Sequence, residues 1–280
     1  MSADSLPRAA HTPTVLARIL ESTRAEVECR KLKLPLQELE YQAFAIGGAE
    51  GVSPRRFAAA LTEPGIAVIA EFKRRSPSAG ALREAPDLHE MVGAYERGGA
   101  AALSVLTEGP NFEGSLEDLR AARVACELPI LRKDFIIDDY QLHEAKVARA
   151  DAVLLIVAAL QPQELIALHE GAGKLGLDVL VEVHDREELQ TALSVGAELI
   201  GINNRDLRDF SVDVERTARL MGEVPAGVTV VSESGIAGPE QLRKLQEVGV
   251  DGVLVGELLM RSPDPEAALR TLRGDPAGSA

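Results

Sequence analysis

Eight short apolar runs, spaced through the chain from Ile66 onward, constrain the fold more than any other feature. They lie at 66–72, 101–106, 129–132, 152–157, 178–183, 198–202, 228–233 and 251–256, and are rich in Val, Ile, Leu and Ala. Most lack polar/apolar alternation, the pattern of parallel strands buried on both faces. Helix signals fill the gaps. Pro162 can occupy a first helical turn, with Leu165, Leu168 and Leu175 following on one side. Asp185 and Glu188 have capping-box-like spacing ahead of Leu189, Ala192 and Val195. Pro239 opens a stretch striped by Leu242, Leu245 and Val248. Gly98-Gly99-Ala100, Gly196-Ala197 and Gly249-Val250 each place glycine between a helix and the next strand, as tight αβ loops require.

Eight strand-plus-helix units in about 210 residues predict a (β/α)8 TIM barrel, an α/β fold. A doubly wound open sheet would need a glycine fingerprint, and no GxGxxG follows the first run. No linker separates the runs, so residues 1–280 are expected to form one domain. Residues 1–65 read as an N-terminal helical extension. Within it, 1–13 are expected to be a loose tail. Residues 14–32 read as an amphipathic helix on Val15, Ile19, Leu20 and Val27, and 33–65 offer Leu36, Leu39, Phe44 and Phe57 as anchors. The extension could simply pack against the barrel, or it could reach over its mouth. The composition of 274–280 predicts a disordered tail.

The net charge of −14 makes nucleic acid and anionic membrane poor partners. Aromatics are only 3% and Trp is absent, which weakens base stacking as well. No run approaches the roughly 18 apolar residues of a membrane span. The stretch holding Asp4 and Pro7 has no apolar core of a signal peptide. Cys29 and Cys126 lie far apart without CxxC spacing, as expected of reduced thiols in a cytoplasmic protein. The acidic surface fits a monomer.

Barrel active sites lie at the C-terminal ends of the strands. The runs end in Glu71 and Lys73, then Leu106-Thr107-Glu108, Lys133, Val157, Glu182, Asn203 with Arg205, Glu233 with Ser234, and Gly256. Period-two alternation would put Glu71 and Lys73 on one face. A lysine held among carboxylates stays protonated and can serve as a general acid, with a carboxylate as base. Any one of these residues could instead form a structural salt bridge; so many on one rim favours chemistry. Ser232-Glu233-Ser234-Gly235-Ile236 and Val255-Gly256-Glu257-Leu258-Leu259 follow the seventh and eighth runs, where phosphate-binding barrels hold the anion on backbone N–H groups. Ordinary capping is the alternative use of such Ser and Gly residues. Ser76 could add a hydroxyl donor. A metal site is not expected: there is no HxH or HExxH spacing. Among His11, His89, His143, His169 and His184, only His184 falls near a strand end, where a capping or packing role is the simpler reading.

Seven stretches, in order, resemble the indole-3-glycerol-phosphate synthase family of tryptophan biosynthesis. They are Ile69-Ala70-Glu71-Phe72-Lys73-Arg74-Arg75-Ser76-Pro77-Ser78, Leu106-Thr107-Glu108 with Phe112-Glu113-Gly114-Ser115, Leu131-Arg132-Lys133-Asp134-Phe135-Ile136, Leu180-Val181-Glu182-Val183-His184, Gly201-Ile202-Asn203-Asn204-Arg205-Asp206-Leu207, Ser232-Glu233-Ser234-Gly235-Ile236 and Gly256-Glu257-Leu258-Leu259-Met260. The resemblance implies a cofactor-free carboxy-lyase acting on 1-(2-carboxyphenylamino)-1-deoxyribulose 5-phosphate, with ring closure, decarboxylation and dehydration. By match, Lys133 is the acid, Glu182 the base and Lys73 the second lysine. Glu71, Asn203 and Glu233 position substrate and lysines, and Arg205 belongs to the same rim. Phe112 and Phe135 would line the aryl pocket. Ser76, Ser234, Gly235, Gly256 and the backbone of Glu257 would hold the phosphate. Phosphoribosylanthranilate isomerase would instead place a Cys at the first strand end, and an inactive phosphate-binding barrel would have lost Lys133 or Glu182.

Overall fold

The computed structural model describes residues 14–47, 56–77, 79–207 and 210–275. The expected loose tail at 1–13 and residues 276–280 lie outside the described residues. Eight parallel strands close into a barrel: β1 (Ala67–Phe72), β2 (Ala102–Leu106), β3 (Ile130–Lys133), β4 (Ala152–Ile156), β5 (Asp178–Val183), β6 (Leu199–Asn203), β7 (Thr229–Glu233) and β8 (Gly252–Val255). Each pairs with its sequence neighbours, and β1 closes the ring onto β8. A two-residue hairpin, Arg75–Ser76 with Gly80–Ala81, follows β1.

Strand alternation sorts the apolar runs into two layers. Val68, Ala70, Leu103, Val105, Val153, Leu155, Val181, Ile200, Ile202 and Val253 belong to the cluster shared with the surrounding helices. Ile69, Ala102, Leu131, Leu154, Leu180, Leu199, Val231 and Leu254 form the second cluster, which fills the barrel. A chain buried on both faces in this way shows no polar/apolar period, which explains the continuous runs. Two residues beyond these interior side chains, on the same face, come Glu71, Lys133, Ile156, Glu182, Gly201, Glu233 and Gly256. The strand ends therefore lift a charged layer above an apolar plug.

Helix starts follow local chemistry. The side chain of Asp185 accepts from the Glu188 N–H at the start of Arg186–Ser194, but Glu188 turns its carboxylate to the His184 N–H instead of completing a capping box. Pro162 and Pro239 stand at first turns. Gly99, Gly196 and Gly249 adopt φ of +83°, +79° and +89° at the helix-to-strand turns, a backbone open to glycine. Gly274 (φ +78°) caps the last helix, Pro265–Arg273, so 274–275 belong to that cap.

Ahead of the barrel come α1 (Val15–Lys33), α2 (Leu36–Gly47) and α3 (Phe57–Ala60). Leu39 and Phe57 are buried anchors, whereas Phe44 is 80% exposed. The backbone N–H of Ala58 donates to Asp178 at the start of β5, which places α3 at the N-terminal end of the barrel. By contrast, Lys31 of α1 pairs with Asp138, 2.7 Å away, in the loop after β3 at the catalytic end. The extension thus contacts the barrel at both ends.

Candidate active site

A cleft opens at the C-terminal ends of the strands, with about 970 Å³ of empty space including the solvent at its mouth. Glu71, Lys73, Ser76, Phe112, Lys133, Phe135, Asn203, Arg205, Glu233, Ser234, Gly235, Gly256 and Glu257 all line it. Glu182 does not; it is 1% exposed and lies beneath the cleft against Lys133.

Lys133 Nζ lies 3.2 Å from a Glu182 oxygen and 3.2 Å from a Glu233 oxygen. Burial by itself would drive its proton off, but the charges of Glu233, Glu182 and Glu71 outweigh burial and hold the lysine well above its ordinary pKa. Lys133 is therefore a secured ammonium. For Glu182, burial disfavours the anion, yet Lys133, His184 and a hydrogen bond from Asn203 leave its pKa lowered. Glu233 goes the other way. Burial dominates, Lys133 opposes it, and the neighbouring Glu182 and Glu71 charges leave the carboxyl pushed up to about 7. Two acids beside one lysine thus have opposite tendencies, the usual sign of separated roles. Glu233 Oε1 is buried and has no hydrogen-bond partner among the described residues. It passes over Gly201, where any Cβ would collide with it.

Lys73 Nζ pairs with Glu71 at 2.6 Å. Gly256 leaves room for this pair, since a Cβ there would collide with Glu71 Oε1. Phe112 and Phe135 face each other with ring centroids 6.4 Å apart and planes tilted by 39°. Phe112 is held from behind: Glu108 accepts from the N–H groups of Asn111 and Phe112 at 2.8 and 3.0 Å. Across the cleft, Ser234 (φ +64°) and Gly235 (φ +80°) turn the backbone after β7. Gly256 and Glu257 open the short helix Glu257–Arg261. The Glu257 carboxylate turns away to Arg261 at 3.0 Å, leaving its backbone to the cleft. Arg205 donates to the Phe210 carbonyl, 2.9 Å away.

Several lining residues were not singled out in the sequence. Leu154, Ile156 and Leu254 form apolar floor, and Leu207, Phe210 and Ile236 form wall. Leu154 and Ile156 stand two apart in a run without polar markers, so nothing local announced which face was interior.

Comparisons with known proteins identify the family and the fold. The family model described as indole-3-glycerol phosphate synthase matches residues 16–272. "Indole-3-glycerol phosphate synthase 2" of Streptomyces coelicolor is 54% identical over 220 residues, 79% of this chain and 85% of that protein. "Indole-3-glycerol phosphate synthase" of Mycobacteroides abscessus is 47% identical over 259 residues, 92% of this chain and 93% of that protein. Among solved structures, a mutant tryptophan synthase alpha-subunit from Pyrococcus furiosus aligns with a TM-score of 0.56 at 13% identity, over 74% of this chain and 98% of that one. A 3-hexulose-6-phosphate synthase aligns at 0.59 and 17%, over 75% and 99%. Those two show the barrel fold alone. With the family model spanning nearly the whole chain and relatives at these identities, the chain belongs to the indole-3-glycerol phosphate synthase family.

Proposed function

We propose that this cleft closes the pyrrole ring of 1-(2-carboxyphenylamino)-1-deoxyribulose 5-phosphate to give indole-3-glycerol phosphate. The observation that carries the reading is the placement of Lys133 between Glu182 and Glu233, at 3.2 Å from each, in a cleft with a phenylalanine pair at one side. The aryl ring would lie against Phe112 and Phe135. The phosphate would sit on the backbone of Ser234-Gly235 and Gly256-Glu257, with Ser76 adding a hydroxyl.

The chemistry follows from the charges. The carboxylate-bearing aryl carbon attacks the sugar carbonyl carbon, forming the new C–C bond. Lys133 gives a proton to the carbonyl oxygen, which becomes a hydroxyl. The C–CO₂ bond breaks next, and its electron pair restores the aromatic ring. The hydroxyl takes a second proton, from Lys73, and leaves as water while Glu182 accepts a proton from the nitrogen-bearing methylene carbon, creating the final double bond. Lys73, steered by Glu71, faces the substrate carboxylate and assists hydroxyl departure. Asn203 and Glu233 hold Glu182 and Lys133 in register. These steps are carried by protein side chains, without a cofactor.

The net charge of −14 supports a monomer as the working form, the spacing of Cys29 and Cys126 fits a cytoplasmic protein, and residues 1–280 act as one domain with 1–65 as its extension. Light scattering at micromolar concentration should then return one chain's mass. The activity is tested by mixing protein and substrate in EDTA and following indole absorbance and fluorescence; the absence of Trp keeps the background low. A saturable signal is expected. Lys133→Ala and Glu182→Gln should each cut turnover by about 10² or more. Near-wild-type turnover in either removes that residue's role. Substrate binding without turnover by the unaltered chain would point to an inactive phosphate-binding barrel.

A further inference from the structure

Glu182 has a second neighbour that the ring-closure steps leave unused. His184 follows it by two residues at the mouth of β5. Its Nε2 stands 3.4 Å from Glu182 Oε1. Its Nδ1 lies 3.0 Å from Glu188 Oε2, and its backbone N–H donates to that same oxygen at 2.8 Å. Glu188 thus grips the residue twice, from the first turn of Arg186–Ser194, and fixes the ring plane. The other ring nitrogen is left facing the proposed base.

That nitrogen is unusual. Nε2 is buried and has no aligned hydrogen-bond partner among the described residues, although a carboxylate oxygen is within ion-pair range. A neutral ring would turn a lone pair toward an anion there. An imidazolium would face the same anion with an N–H, and the contact becomes attractive. Among the described residues, the ring feels the charges of Glu182 on β5, Glu188 on the following helix, and Arg216 on the helix Arg216–Met221. Burial and Arg216 disfavour the cation, the two carboxylates favour it, and the carboxylates prevail.

We propose that His184, fixed by Glu188, is a positioning residue that acts through Glu182: as an imidazolium it keeps the base ionised and oriented at acid pH. The inference rests on the ring-closure reading, in which Glu182 takes the substrate proton. Its sign is definite. The imidazole is charged at low pH, where Glu182 would otherwise protonate, so the effect belongs to the acid limb of the rate profile.

The test is kcat and KM against pH for the unaltered protein, His184→Asn, His184→Gln and Glu188→Gln. Both His184 variants should move the acid limb of kcat upward by about one pH unit, roughly a tenfold loss on the acid side, with turnover recovering toward pH 8. KM should change by less than about threefold. Glu188→Gln should give a smaller shift of the same sign. An unmoved limb, or an equal loss at every pH, would overturn the proposal, because a purely structural histidine has no reason to act only in acid. Should the His184 variants fail to fold, the imidazole ¹⁵N titration decides. The chain has five histidines, so assignment is tractable. The His184 midpoint should be lower in Glu182→Gln than in the unaltered chain; equal midpoints overturn the proposal. Absence of turnover by the unaltered protein removes the ring-closure reading and this role together. Turnover with an unmoved limb removes only this role.

Discussion

Two glycines set where the catalytic charges can lie. Glu233 reaches Lys133 by crossing β6 at Gly201, and Glu71 reaches Lys73 by passing Gly256. Gly201→Ala should displace the Glu233 carboxylate, and turnover should fall about tenfold or more, because misplaced charge stabilises the transition state poorly. Circular dichroism should remain that of the parent; unchanged kinetics would show that the crossing is dispensable. Glu233 also has a thermodynamic signature. Its folded carboxyl is pushed up to about 7, first by burial, against an ordinary value of 4.5. Between these values the native chain holds a proton that the unfolded chain has lost. This group's contribution to stability is therefore present below about pH 4.5 and is lost as pH rises toward 7. Thermal melts should show Glu233→Gln with a flatter stability slope across that window than the parent. A slope as steep as the parent's would place the proton elsewhere. The polar strand-end residues were legible in the sequence because each interrupts an apolar run. The glycines' steric role was not, because it depends on which residue stands across the strand pair.

Among the elements, the loop after β2 shows how a strand end is turned into a wall. Gly114 packs so closely on the Leu106 carbonyl that a Cβ would collide with it, and Glu113 before it adopts φ +56°. Glu108 gathers the intervening N–H groups of Asn111 and Phe112 on one carboxylate. Phe112 is thereby aimed at Phe135. Gly114→Ala should force this loop outward, raising KM several-fold at a stability cost of about 1–3 kcal/mol. Substrate titration and denaturant unfolding together test it; a lower Tm with unchanged KM would mean that the loop does not place the ring. The strands and their order could be read from the apolar runs, since burial on both faces removes polar residues from each run. The loop could not. Glu108 stands among the strand-end residues, but only tertiary structure shows that it serves the backbone of its own loop. Phe44 illustrates the opposite failure: aromatic character marked it as an anchor, yet it is exposed on α2.

Across the whole molecule, a chain of ionic contacts joins the N-terminal extension to the catalytic strand. Arg30 of α1 donates to Glu144 at 2.7 and 3.2 Å. Glu144 also faces Arg132 at 3.3 Å, and Arg132 donates to Asp134 at 2.9 Å. Arg132 and Asp134 flank Lys133 in sequence, and Arg132 is fully enclosed at 1% exposure. The Arg132 guanidinium also binds the Thr107 hydroxyl and the Gln141 carbonyl, so it ties the loop after β2 and the helix after β3 to one point. Removing Arg30 would leave Glu144 buried with a single cation, and unbalanced buried charge is costly. Arg30→Ala should therefore lower stability by about 1–2 kcal/mol, or Tm by a few degrees. Lys31→Ala breaks a more exposed pair with Asp138 and should cost less, within about 1 kcal/mol. A double-mutant cycle of Arg30→Ala with Glu144→Gln isolates the contact. If the two changes simply add, the Arg30–Glu144 contact does not hold α1, which is left to its apolar face and the Lys31–Asp138 pair. If they couple, and kcat falls in step, the extension steadies the strand that carries Lys133.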